Sequence, residues 1–312
     1  MSLAEDVRQP AVNTHSLSGV IAAIATPVTP QGDPDAARFI TLARHLLAGG
    51  CDGLNVLGTT GEATSFTVSQ RSALMSAIAR AGLPMHRLMV GTGAAALGDA
   101  VTLTRHAAEL GFAGALVLPP FYYKGVQEDG IVRYIGSIVH ATRAQPVPIY
   151  LYHFPALSGV PYTEDLVRRL LAEFGERIAG LKDSSGDLDY ARRIAALSPG
   201  FRVFPSNEGC LGEARNGAFA GCISATANLN ADLCAQAFHA GSVEALAAAV
   251  AIRKIFDGVP LVPGVKSVLA HMHGDAELGR VMPPLSTLAD AQRASLADAY
   301  DRLRSGQVEF TT

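Results

Sequence analysis

Short runs of valine, isoleucine and leucine recur along this chain, each followed by a stretch whose apolar residues fall at helical spacing. Runs without polar alternation read as strands buried on both faces of a parallel sheet, and the stretches between them as amphipathic helices that cover it. Strands are expected at 20–27, 53–58, 88–93, 113–119, 148–153, 178–183, 202–205 and 221–225. Helices are expected between them at 35–47, 67–81, 97–110, 130–141, 163–171 and 190–196. Eight strand–helix units spaced by roughly 25 to 35 residues predict an α/β fold of the (β/α)8 TIM-barrel type, for which about 250 residues is usual. A doubly wound dinucleotide fold would want G-x-G-x-x-G after the first strand. That strand instead runs into Ala25-Thr26-Pro27-Val28.

Beyond Asn228 the pattern is helical only, at 231–240, 243–256, around 264–272 and 288–304, with 258–264 expected as a loop. The expected division is an N-terminal segment (1–17), the barrel (18–228), and a barrel-closing helix with a C-terminal helical extension (229–312). No Gly/Ser-rich linker marks a second independent domain.

Charge narrows the partners. A net charge of -3 over 312 residues leaves no basic footprint for nucleic acid or an anionic membrane surface. No apolar stretch reaches the length of a membrane span, and residues 1–16 lack the apolar core of a signal peptide. Cys51, Cys210, Cys222 and Cys234 form no C-x-x-C motif and no dense framework. A reduced, cytoplasmic protein is the expectation. With 49% apolar and 17% charged residues and no tryptophan, the composition suits an enzyme with surface in subunit contacts.

The candidate chemistry starts at Lys182. Only Lys124, Lys182, Lys254 and Lys266 are lysines, and Lys182 stands in the apolar run Ile178-Ala-Gly-Leu-Lys-Asp183. Burying a lysine disfavours its ammonium form, and a neutral amine attacks carbonyls to form a Schiff base. The plainer alternative is a lysine at a strand end that extends its charge to solvent. Catalytic groups of a barrel gather where its strands end. The other strand ends here are Gly58-Thr59-Thr60-Gly61-Glu62, Pro119-Pro-Phe-Tyr122-Tyr123-Lys124, Tyr150-Leu-Tyr152-His153, Pro205-Ser206-Asn207-Glu208 and Ile223-Ser224.

Taken in order, Gly58-Thr-Thr-Gly-Glu62, Pro120-Phe-Tyr-Tyr123, Leu151-Tyr152 with Pro155, Gly180-Leu-Lys182 and Ser185-Gly186 resemble one family. It is the class I pyruvate-dependent aldolases and lyases, which include dihydrodipicolinate synthase and N-acetylneuraminate lyase, and the resemblance covers about Ser18 to Leu288. It implies a barrel in which Lys182 forms an imine with pyruvate or a pyruvate-like 2-keto acid. Tyr152 would relay protons at the imine, in concert with Thr59 and with Tyr122 reaching in from a neighbouring subunit. Tyr123 is the alternative if the register slips by one. Gly58 and Thr60, in a turn expected to lead into a helix, would help hold the substrate carboxylate. The backbone carbonyl of Ile223 would accept a hydrogen bond near the keto acid. The resemblance also implies a homotetramer built as a dimer of dimers, with no cofactor and no metal. Taken alone, the Gly58–Gly61 stretch is equally an ordinary capped turn, and Tyr152 a buried aromatic.

One departure bears on the substrate. Dihydrodipicolinate synthases carry arginine where this chain has Leu157, and leucine cannot pair with the carboxylate of aspartate semialdehyde. Ser184, Ser206, Asn207 and Glu208 offer polar groups for a polyhydroxy tail, or simply a solvated loop. A 2-keto-3-deoxy sugar acid, cleaved by retro-aldol reaction or dehydrated, is therefore expected. The alternatives are 4-hydroxy-tetrahydrodipicolinate synthase activity and a keto-acid-binding regulatory barrel without turnover. His153 would tune specificity or be structural. His271 and His273, two apart on a predicted helix, point to different faces and suit no metal.

Overall fold

The computed structural model describes residues 17–306. The leader reading of residues 1–16, and all of the expected N-terminal segment but Leu17, lie outside them. All eight expected strands form: β1 (Gly19–Ala23), β2 (Gly53–Val56), β3 (Leu88–Gly91), β4 (Gly114–Val117), β5 (Ile149–His153), β6 (Ile178–Asp183), β7 (Arg202–Pro205) and β8 (Gly221–Ser224). Every recorded pairing between these strands is parallel, in the order β7-β6-β5-β4-β3-β2-β1-β8. The Ala220 N–H donates to the Val203 carbonyl at 2.9 Å and draws β8 to β7, so the sheet rolls into a nearly closed (β/α)8 barrel.

Alternation along each strand divides the apolar residues between two cores. Ile21, Ala23, Met89, Leu116, Tyr150, Phe204 and Ile223 pack along the barrel axis. Val20, Ala22, Leu54, Val56, Val90, Leu151 and Leu181 face outward against the helices. Tyr150 fills so much of the axis that glycine is required on both neighbouring strands: a Cβ at Gly114 would stand 2.6 Å from its ring, and one at Gly180 2.8 Å.

The covering helices are α1 (Ala36–Ala48), α2 (Val68–Arg80), α3 (Leu97–Glu109), α4 (Glu128–Ala141), the single turn α5 (Pro155–Ser158), α6 (Glu164–Phe174), α7 (Leu188–Ala195) and α8 (Leu211–Arg215). Several begin at capping side chains. Asp35 accepts from Arg38 N–H at α1, and Thr67 with Gln70 closes a capping box at α2.

After β8 come α9 (Ala227–Ala235), α10 (Val243–Lys254), α11 (Leu261–His273) and α12 (Asp290–Arg304). The expected division after residue 228 falls inside α9, which starts at Ala227 and bends at Asn230. Asn228 stitches this helix to the sheet. Its amide donates to the Ala23 and Ala225 carbonyls and its oxygen accepts from Ala25 N–H. The segment 258–264, expected as a loop, is helical from Leu261. Pro263 sits in the first turn, where a missing N–H costs nothing, and Val262, Pro263 and Val265 are buried. Among the described residues no helix is long and apolar enough to cross a membrane. All four cysteines are buried and free.

Candidate active site

Lys182 lies on β6 in register with Tyr152 on β5 and Phe204 on β7. Tyr152 and Phe204 belong to the axial core, so the lysine side chain also points into the barrel and is only 3% exposed. Its Nζ lies 3.4 Å from the Tyr152 hydroxyl and 4.4 Å from the centroid of the same ring, within reach of hydrogen-bond and cation–π attraction. The Tyr152 hydroxyl is also 3.1 Å from Thr59 Oγ1. Three groups from the ends of β2, β5 and β6 therefore form one contact chain, Thr59 to Tyr152 to Lys182.

Thr59 belongs to the turn that follows β2. This turn was expected to lead into a helix, but only one 3-10 turn follows (Ala63–Ser65), and α2 starts later at Val68. Glu62 N–H donates to the Thr59 carbonyl at 3.0 Å and Ala63 N–H to that of Gly58 at 3.2 Å. Gly58 is needed because a Cβ there would stand 2.7 Å from Asn55 Nδ2. Thr60 is buried beside it. Two residues that are not glycine, Leu57 (φ 51) and Glu62 (φ 54), adopt left-handed backbone, which is uncommon for branched or long side chains.

In the sequence Glu62 is only the end of a motif, and Lys266 carries no site signature. They form a fully buried ion pair, Lys266 Nζ to Glu62 Oε1 at 2.5 Å. Lys266 Nζ also donates to the Thr26 carbonyl (2.9 Å), and Glu62 Oε2 accepts from Met282 N–H (2.7 Å). Burial pushes the Lys266 pKa down while the Glu62 charge opposes the shift. The signal that marked Lys182, a lysine within an apolar stretch, was present here as well: Lys266 sits among Val262, Val265, Val268 and Leu269.

A cavity of about 250 Å³ opens at this end of the barrel, lined by Gly58, Thr59, Phe121, Tyr152, Phe154 and Leu157 among others. Leu157 stands at its rim, 58% exposed. Arg71, also in the wall, donates to the carbonyls of Gly91 (2.8 Å) and Gly93 (3.3 Å). Burial lowers its pKa to about 10. It was missed because its partners are backbone carbonyls of another strand–loop unit.

Tyr122 lies outside this contact chain. It is 77% exposed and meets Tyr123 edge-on at 5.3 Å. The Ile223 side chain is buried on the axis. Ser184 and Ser206 are half-buried at the ends of β6 and β7, with their N–H groups bonded to the His153 and Asp183 carbonyls. Glu208, expected to meet substrate, is instead fully buried and occupied. It accepts from Ser224 Oγ at 2.6 Å and from Thr226 Oγ1, and pairs with Arg253 at 3.3 Å. Three donors converging from β8, the β8–α9 turn and α10 leave its carboxylate engaged within the protein.

His153 lies on the opposite face of β5 from Tyr152, as strand alternation requires. Its Nδ1 accepts from Tyr162 N–H at 3.0 Å and its ring stacks on Tyr190 at 4.4 Å. Burial lowers its pKa to about 4, so the ring is a neutral structural acceptor. Of the α11 histidines, His271 bonds Asp301 at 2.9 Å and His273 packs on His45 at 4.9 Å, on different faces.

Comparisons with known proteins agree with this architecture. The model of the dihydrodipicolinate synthetase family matches residues 16–302. An uncharacterized DapA-like lyase of Chloroflexus aurantiacus is 34% identical over 298 residues, which is 92% of this chain and 97% of that protein. Among solved structures, dihydrodipicolinate synthase from Agrobacterium tumefaciens superposes with a TM-score of 0.83 at 28% identity, covering 91% of this chain and 99% of that one. YagE, a prophage protein of the dihydrodipicolinic acid synthase family from E. coli K12 solved in complex with pyruvate, gives 0.84 at 25% identity, covering 92% and 98%.

Proposed function

This chain belongs to the dihydrodipicolinate synthetase family and is a class I lyase of that family; from that premise we propose that Lys182 forms its imine with a 2-keto-3-deoxy sugar acid or with pyruvate. The observation that carries the reading is the contact chain Thr59–Tyr152–Lys182.

The chemistry follows from those groups. The Lys182 amine adds to the keto carbon, the carbinolamine oxygen leaves as water with a proton delivered through Tyr152, and a protonated imine remains. For retro-aldol cleavage, the C4 hydroxyl loses its proton, the C3–C4 bond breaks and the aldehyde departs. The bond's electron pair passes to the imine nitrogen as an enamine, which is protonated at C3 and hydrolysed to pyruvate. The imine itself is the electron sink, so the reaction as written needs neither metal nor organic cofactor. Dehydration starts from the same imine: the C3 proton is removed to give the enamine, whose electron pair expels the C4 hydroxyl as water once it takes up a proton, and the conjugated imine left behind is hydrolysed to release the unsaturated keto acid.

Gly58 and Thr60 would seat the C1 carboxylate, the Ile223 carbonyl would face the keto acid, and Ser184 and Ser206 would meet the hydroxylated tail. Glu208 would act on that tail only indirectly, through β8. Leu157 at the rim supports a substrate without a second carboxylate. Exposed Tyr122 and Tyr123 suit insertion into a second copy, which would complete the relay in a homotetramer arranged as a dimer of dimers. A cytoplasmic setting fits four free thiols.

The test is borohydride reduction with and without pyruvate, read by intact mass and peptide mapping. A pyruvate-sized adduct on Lys182 is expected. A folded protein that takes up none overturns the reading.

A further inference from the structure

We propose that Lys266 and Glu62 are positioning residues: together with the Met282 N–H they clamp the turn that carries Thr59 and Thr60, so that the C-terminal extension sets the geometry of the keto-acid site. This deepens the function proposed above and rests on it for its binding readout.

The argument starts from the turn. Its conformation places Leu57 and Glu62 at φ 51 and 54, where side chains crowd the backbone. Within the turn, the Glu62 and Ala63 N–H bonds to the Thr59 and Gly58 carbonyls are its recorded backbone ties. The restraint comes from afar. Lys266, 204 residues away on α11, holds Glu62 Oε1 at 2.5 Å, and the Met282 N–H holds Oε2 at 2.7 Å. Lys266 also grips the Thr26 carbonyl at 2.9 Å, just beyond β1, and a Cβ at Gly61 would stand 3.1 Å from Thr26 Oγ1. The segment after β1, the turn after β2 and helix α11 thus share one ammonium group. Three residues before Glu62, Thr59 Oγ1 touches the Tyr152 hydroxyl that meets Lys182.

A buried pair of this kind fixes direction as well as position, because each carboxylate oxygen has its own donor and the ammonium group is held between Glu62 Oε1 and the Thr26 carbonyl. An apolar replacement would fill the volume without dictating the turn.

The test uses the full chain with Lys266→Met and the double variant Glu62→Gln/Lys266→Met. The double variant avoids a lone buried charge if the single one fails to fold, and Lys266→Arg tests rescue by retained charge. Hydrogen exchange at the Glu62 and Ala63 amides is expected to accelerate at least tenfold while β5 and β6 stay as in the parent. Half-maximal borohydride trapping should need at least tenfold more pyruvate. Parent-like exchange at those two amides in a folded double variant overturns the clamp. Faster exchange with unchanged pyruvate demand overturns its role in seating the keto acid, and uniformly faster exchange reduces the pair to general stability. If the parent protein itself takes up no adduct, the imine assignment fails, and the exchange data still decide the clamp.

Discussion

Tyr152 and Lys182 are register partners on neighbouring parallel strands, and this alignment sets the phenol oxygen 3.4 Å from the amine and the ring centroid 4.4 Å from it. One aromatic side chain thereby supplies the lysine with both a proton partner and an apolar wall. The pairing depends on the ladder: a shift of one residue would turn either side chain out toward the helices.

Replacement of Lys182 by methionine removes the proposed nucleophile and keeps the side-chain volume close. Trapping with pyruvate should vanish and turnover should fall by at least about a thousandfold. Urea unfolding should show stability unchanged or raised, since a buried polar group is lost.

Tyr152→Phe retains the wall and loses the proton partner. Turnover should fall by about 100- to 10,000-fold with the fold intact. Thr59→Val, which removes the contact at 3.1 Å from the phenol oxygen, should cost about tenfold or more through the same relay. Single-turnover imine formation monitored by quenched borohydride trapping measures both. A Tyr152→Phe enzyme of undiminished rate would remove the tyrosine from the mechanism.

Leu157→Arg adds a guanidinium at the cavity rim. Use of an aldehyde partner that bears a carboxylate, such as aspartate semialdehyde, should improve by about 10- to 100-fold, as expected for one charge-assisted contact. Condensation with pyruvate followed by coupled assay reads the change. High synthase activity in the parent chain would overturn the substrate argument drawn from Leu157.

His153 links stability to pH. Its folded-state pKa of about 4 lies below the ordinary 6.5, so the unfolded chain binds the proton first as acidity rises. The contribution is fully present above pH 6.5 and is lost as pH falls toward 4, by up to about 3 kcal/mol. Denaturant midpoints measured from pH 7.5 to 4.5 should fall more steeply for the parent than for His153→Gln. Parallel slopes would sink the assignment.

The eight strands and the helices between them were legible because burial on both faces leaves unbroken apolar runs, and amphipathic packing leaves a helical period. Lys182 was legible for a related reason: a lysine inside such a run announces its own burial. Tyr152 and Thr59 were recognisable through a motif; the contact of Tyr152 with the lysine follows from strand register, and Thr59 meets Tyr152 from the turn after β2. Other features had no local trace. His153 and Tyr152 are neighbours in the chain but face opposite sides of the sheet. Glu208 looked like a substrate ligand on a polar loop because Ser224, Thr226 and Arg253, which surround it, come from three later segments. The first turn of the helix that begins at Leu261 was obscured by Gly258, Pro260, Pro263 and Gly264, residues that usually punctuate loops. Period and burial are written residue by residue, so the sequence alone determined the barrel and the buried lysine inside it. Partners are chosen by closure of the whole ring, and only the tertiary structure decided that Glu62 would meet Lys266 across 204 residues of chain.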